Sequence, residues 1–196
     1  MKLTLEISRC AADVNPREDQ ENLGTFWTWH RNYLSPDRDC PREPMRALPK
    51  GSIGLPVWLY DHSGCSYVAG ESNPFSCPWD SGQVGWIFTT PERAAEWFGW
   101  KRPSRPEGAV FRRGIRVPTR PIMTKARKKR ILDALRQEVE IYDAWQKGDV
   151  FGWVIYDEDE AMVEGCGGYL ITGSKDANYM IAEAVKEMQT LFEGEF

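Results

Sequence analysis

Histidine is scarce in this chain: His30 and His62 are the only two among 196 residues. A zinc site would have to join them to a cysteine or a carboxylate at no recognised spacing, so no metal site is expected. The cysteines at 10, 40, 65, 77 and 166 are odd in number, and no two form a C-x-x-C pair. That pattern argues against a disulfide framework and for reduced thiols that pack as small apolar groups. Long apolar runs are missing as well, and none approaches the about 20 residues of a membrane-spanning helix. Residues 1–9 alternate in polarity, which reads as a strand rather than as an export signal. The phosphate-cradling G-x-x-x-x-G-K, the dinucleotide-binding G-x-G-x-x-G and the zinc-binding H-E-x-x-H are all absent, so no cofactor is expected. Internal repeats, coiled-coil heptads and low-complexity tracts are absent too.

What is present is a globular composition, 41% apolar and 28% charged, in a length suited to one core. The periodicities predict an α+β chain, a single domain over residues 1–196. In it a mostly antiparallel twisted sheet packs against two amphipathic helices over 124–147 and 176–192 and a short helix over 92–98. Strand-like stretches rich in β-branched and aromatic residues fall at 1–9, 23–30, 55–60, 65–68, 84–89, 150–156 and 162–172. Thr90 as cap, Pro91 in the first turn and Glu92 mark the start of the short helix. In the longest helix Ile131, Leu132, Leu135, Val139, Tyr142 and Trp145 draw one apolar stripe, and Gly148 ends it. Its acids Glu138, Glu140 and Asp143 read as a solvated face, and Asp149 beyond its end as an acceptor for loop amides. Residues 35–51 hold four prolines among charges and read as a loop.

The net charge of −4 conceals an asymmetry. Residues 101–130 carry twelve lysines and arginines against one acid, Glu107. They comprise a basic, proline- and arginine-rich connection over 101–123 and the start of the longest helix. Such a segment draws phosphates, nucleic acid or an acidic protein surface, with Arg112, Arg113 and Arg116 as its candidate contacts. The plainer reading is a solvated basic loop.

The densest chemistry lies in FSCPWDSGQVGWI, residues 75–87, where a thiol, a carboxylate, hydroxyls, an amide, two indoles and two glycines occur together. Upstream, Asp61, His62 and Ser63 follow the apolar run 55–60. The two clusters are expected to line one cleft floored by Trp58 and Trp86. Its binding residues would be Asp61, His62, Ser63, Trp79, Asp80, Ser81 and Gln83. Cys77, His62 and Asp80 are also the residue types of a thiol nucleophile, a general base and its orienting carboxylate. A buried thiol filler and turn-forming aspartates account for the same residues, so no catalytic residue is assigned. Clustered tryptophans, of which the chain has nine, are more often core than a stacking platform.

Taken in order, Pro16-Arg17-Glu18, ENLGT at 21–25 with His30, LPVWLYDHSG, FSCPWDSGQVGWI and LRQEVEIYDAWQKGDVFGW resemble a family of small accessory proteins encoded by bacteriophages and other mobile elements. The resemblance spans about residues 16–170. The chain departs from that pattern at GCGGY, residues 165–169, where relatives carry a Cys-Trp-Gly-Phe sequence, and in its longer basic connection. The resemblance implies a context rather than a chemistry. Such proteins disable host defences, as anti-CRISPR proteins do, or redirect host machinery, by occupying a protein surface or handling a nucleotide. The expectation is an inhibitory binding protein of the host cytoplasm, away from membranes, whose partner is a host protein or complex. Nucleotide or nucleic acid, engaged through 101–130, is the other candidate ligand. Two alternatives stand beside it: a small Cys/His-dependent hydrolase or transferase acting on a nucleotide or protein, and a nucleic-acid-binding protein.

Overall fold

The computed structural model describes residues 2–11, 14–18, 20–101 and 121–193. In chain order its elements are β1 (Thr4–Arg9), β2 (Thr25–Thr28), α1 (Pro44–Ala47), β3 (Ile53–Asp61), β4 (Cys65–Ala69), β5 (Ser81–Thr89), α2 (Pro91–Trp97), α3 (Lys125–Gln146), β6 (Val150–Tyr156), β7 (Met162–Leu170) and α4 (Ser174–Glu193). The class is α+β, as the periodicities predict. The strands divide between two antiparallel sheets, one in the order β1-β6-β7 and one in the order β2-β5-β3-β4. The chain gathers into two compact units, the first of Met1–Gln20, Ser63–Ser66 and Glu140–Phe196, the second of Glu21–His62 and Tyr67–Val139. Among the described residues no helix is long and apolar enough to cross a membrane.

In the second unit β3 reads directly as a half-buried strand, with Leu55, Val57 and Leu59 enclosed and Pro56, Trp58 and Tyr60 on the other face. It pairs with β5, and β5 pairs on its far side with β2. The β3–β5 register slips between Val57, opposite Gly85, and Trp58, opposite Gln83, so Val84 is the extra residue of a bulge. Phe26 of β2 is fully enclosed and meets Tyr67 of β4 edge-on at 6.1 Å. Helix α2 starts where predicted: the Thr90 hydroxyl accepts the Arg93 N–H at 3.2 Å behind Pro91. The short α1 interrupts the loop expected over 35–51, with Pro44 pre-setting its first turn.

Of the apolar stripe on α3, Ile131, Leu135, Val139 and Tyr142 are buried, while Leu132 and Trp145 are half-buried. Glu138, however, is not a solvated acid. Its carboxylate accepts the Leu23 N–H at 2.7 Å and the Gly24 N–H at 3.1 and 3.2 Å. Hydrogen bonds to a charged acceptor contribute about 1.5–3 kcal/mol, and unmaking them here strands two enclosed amides. Glu138→Ala is therefore expected to lower stability by about 2 kcal/mol in a urea titration. A loss below about 0.5 kcal/mol, typical of a surface substitution, would mean that water satisfies both amides.

The first unit holds β1, β6, β7 and α4. Leu5 lies opposite Ile155 and Ile7 opposite Trp153, and Trp153 and Ile155 are enclosed with Met180 and Ala184 of α4. The Asp149 carboxylate, expected to hold loop amides, pairs instead with Arg9 at 2.6 Å.

Candidate functional site

The β3–β5 pair brings the two polar clusters of the second unit together. Tyr60 lies opposite Ser81, and the ladder runs one step further as the Asp61 N–H donates to the Asp80 carbonyl at 2.8 Å. The loop entering β5 is tied by its own side chains. Asn73 accepts the Phe75 N–H at 3.0 Å and donates to Ser81 Oγ at 3.0 Å, and Ser81 Oγ donates to the Cys77 carbonyl at 2.5 Å. The Phe75 ring stacks on Tyr60 at 5.4 Å. These local bonds hold a proline-bearing stretch that has no periodicity of its own.

Asp80 is the hub of the cluster. One carboxylate oxygen, Oδ2, accepts the Cys77 thiol at 3.3 Å and stands 3.3 Å from His62 Nδ1. A thiol nucleophile needs a base in contact with its sulfur, oriented from behind by a carboxylate. Here thiol and imidazole both meet Asp80 Oδ2, so the contacts that join the three residue types run through the carboxylate. Cys77→Ala is accordingly expected to cost about 1 kcal/mol or less, since Asp80 keeps His62 as a neighbour. In a melting experiment that is a fall of at most about 4 °C, with any inhibitory activity largely intact. Loss of all activity in a folded Cys77→Ala variant would instead favour the enzyme reading.

Beside Asp80 opens a cleft of about 390 Å³ whose lining includes His30, Asn32, Leu59, Asp61, Trp79, Ser81 and Gln83. The Tyr33 hydroxyl donates to Asp61 Oδ1 at 2.8 Å, and the Tyr33 ring stacks on His30 at 4.9 Å, which draws the segment after β2 to the cleft. Trp79 is 93% exposed. Leaving so large an apolar side chain in water forgoes on the order of 2 kcal/mol of burial.

Of the residues read from the sequence, Asp61, Trp79, Asp80, Ser81 and Gln83 line this cleft. His62 reaches it through Asp80 and is itself 64% exposed. Ser63 occupies the exposed turn after β3 with φ 53°. The expected floor is not there. Alternation places Leu59 and Asp61 on one face of β3 and Trp58 on the other, where its indole N–H donates to the Gly70 carbonyl at 2.9 Å. Trp86, opposite Pro56, shares the face of Trp58 and also faces Trp27 on the β2–β5 ladder. Of the nine tryptophans, Trp153 is enclosed, Trp27, Trp58, Trp86, Trp100 and Trp145 are half-buried, and Trp29, Trp79 and Trp97 are exposed. Asn32 and Tyr33 carried no signal, because a short loop brings them in without any periodic pattern. Arg112, Arg113 and Arg116 lie outside the described residues. No family model, curated protein or solved structure matches the chain.

Proposed function

We propose that this is a binding protein of the bacteriophage accessory type, acting in the host cytoplasm as an inhibitor of a host defence, CRISPR or another, or of a regulatory complex. It seats Trp79 and the adjoining cleft on a host protein. The exposure of Trp79 carries this reading: tryptophan offers a large rigid contact area and is the residue type most often found to dominate binding energy. Around it Asp61, Asp80 and Gln83 supply acceptors and a donor at the rim, the composition of an interface with an apolar anchor and polar surroundings. The cleft also favours a protein over a nucleotide as occupant. Its lining holds two carboxylates against one arginine, Arg31, which suits a lysine or arginine of a partner and repels phosphates. The phage setting rests on the sequence blocks that resemble that accessory family.

The reading is tested by affinity capture from a bacterial host lysate with the tagged full chain and its Trp79→Ala variant, quantified by mass spectrometry. A host protein enriched by the native chain and lost with the variant is expected. Equal retention by both baits, or no protein retained by either, contradicts it.

A further inference from the structure

Helix α3 opens with KARKKR, residues 125–130, five cations in six positions and no acid in its first turn. Lys129 pairs with Asp133 at 2.7 Å, while among the described residues no carboxylate pairs with Lys125, Arg127, Lys128 or Arg130. Like charges one turn apart repel, and the helix dipole adds further positive potential at this end. An arrangement that is unfavourable by itself becomes favourable when a polyanion lies against it.

Aromatic rings hold two of these cations in place of acids. Phe98 and Trp100 stack at 4.7 Å, with the Arg127 guanidinium 4.8 Å from the Trp100 ring and the Arg130 guanidinium 4.5 Å from the Phe98 ring. Arg127 also donates to the Ile122 carbonyl at 2.9 Å. Guanidiniums held this way are pre-oriented, and no carboxylate neutralises them. Nearby in sequence, Trp97 is 43% exposed.

We propose that this surface, Lys125, Arg127, Lys128 and Arg130 with Phe98 and Trp100, binds single-stranded nucleic acid. Cations in a row follow a phosphate backbone, and the guanidinium planes that lie on Phe98 and Trp100 offer their outer faces to unpaired bases for stacking. Stacking separates this ligand from the others that charge alone would admit. A duplex keeps its bases paired and out of reach of this stack, and polyglutamate offers negative charge without aromatic planes to place on it. The surface shares no residue with the Trp79 cleft, so each proposal stands or falls without the other.

The test is fluorescence anisotropy of the full chain with labelled single strands of about 20 nucleotides, the matching duplex and polyglutamate, between about 50 and 200 mM salt. The single strand is expected to bind, and to bind tighter than the duplex or polyglutamate. The variant Lys125→Gln, Lys128→Gln, Arg130→Gln changes exposed side chains only, so it keeps the fold. It should weaken single-strand binding at least about tenfold and flatten the log-affinity against log-salt slope by about 2, the share of three phosphate contacts. Trp100→Leu, compared at equal helix content, should weaken binding about fivefold with the slope unchanged. No single-strand binding at the lowest salt, or an unaltered slope in the glutamine variant, overturns the proposal. So does duplex or polyglutamate bound as tightly as the single strand, which would assign the surface to a groove or to an acidic protein.

Discussion

Gly85→Ala is expected to lower the thermal midpoint by about 6–12 °C. Gly85 stands in the middle of β5, opposite Thr28 of β2 on one side and Val57 of β3 on the other. A Cβ at this position would lie 2.2 Å from the Trp27 carbonyl oxygen and 2.9 Å from Thr28 Cγ2. The nearer obstacle is backbone, which cannot rotate away as a side chain can, so β2 must move off the sheet. Overpacking of this kind costs up to about 3 kcal/mol, and each kcal/mol is about 2–4 °C in a chain of this length. The same strand supplies its own control. Nothing lies within 4 Å of a Cβ built at Gly82, so Gly82→Ala should shift stability by no more than about 0.5 kcal/mol. A midpoint for Gly85→Ala within the error of the native chain would mean that β2 does not lie on β5 in this register. Because β5 leads out of the Trp79 loop, partner binding should weaken along with stability.

How far the sequence carried depended on whether the deciding interaction was local. Thr90, Pro91 and Glu92 locate the start of α2 within a residue because capping is settled inside one turn. The stripe Ile131, Leu135 and Val139 is equally local, and all three are enclosed as expected. Strand partners are not local. Period-two alternation says which face of β1 or β6 is apolar, but nothing in it says that Leu5 pairs with Ile155 in one sheet while Leu55 pairs with Ile87 in another. β5 begins at Ser81 rather than Val84, because the ladder with Tyr60 imposes extended backbone on Ser81 and Gly82, residues with turn chemistry. Glu138 looked solvated because the amides that it binds, at Leu23 and Gly24, come more than a hundred residues earlier. At the candidate site, Asp61 and Asp80 were legible as polar residues ending opposite strands. Trp79 was legible as a binding residue of its loop, but the extent of its exposure was not, since that depends on neighbours brought in by the fold.

Trp79→Ala carries the largest expected effect on binding. The side chain is 93% exposed in the free protein, so removing it takes away no core packing and the melting temperature should stay within about 2 °C of native. In the proposed complex the same indole is the exposed aromatic anchor at the cleft, flanked by Asp80, Ser81 and Gln83. Truncating a tryptophan at the centre of an interface costs about 2 kcal/mol or more, which is about 30-fold in Kd. The effect should appear chiefly as faster dissociation, because the side chain adds contact rather than long-range charge. The most direct test is a titration of the captured partner against the native chain, Trp79→Ala and Cys77→Ala, with affinity and melting temperature measured on the same samples. The account predicts a Kd raised about 30-fold or more for Trp79→Ala at native stability, with Cys77→Ala binding like the native chain. A native Kd for Trp79→Ala, with loss confined to Cys77→Ala, would contradict it.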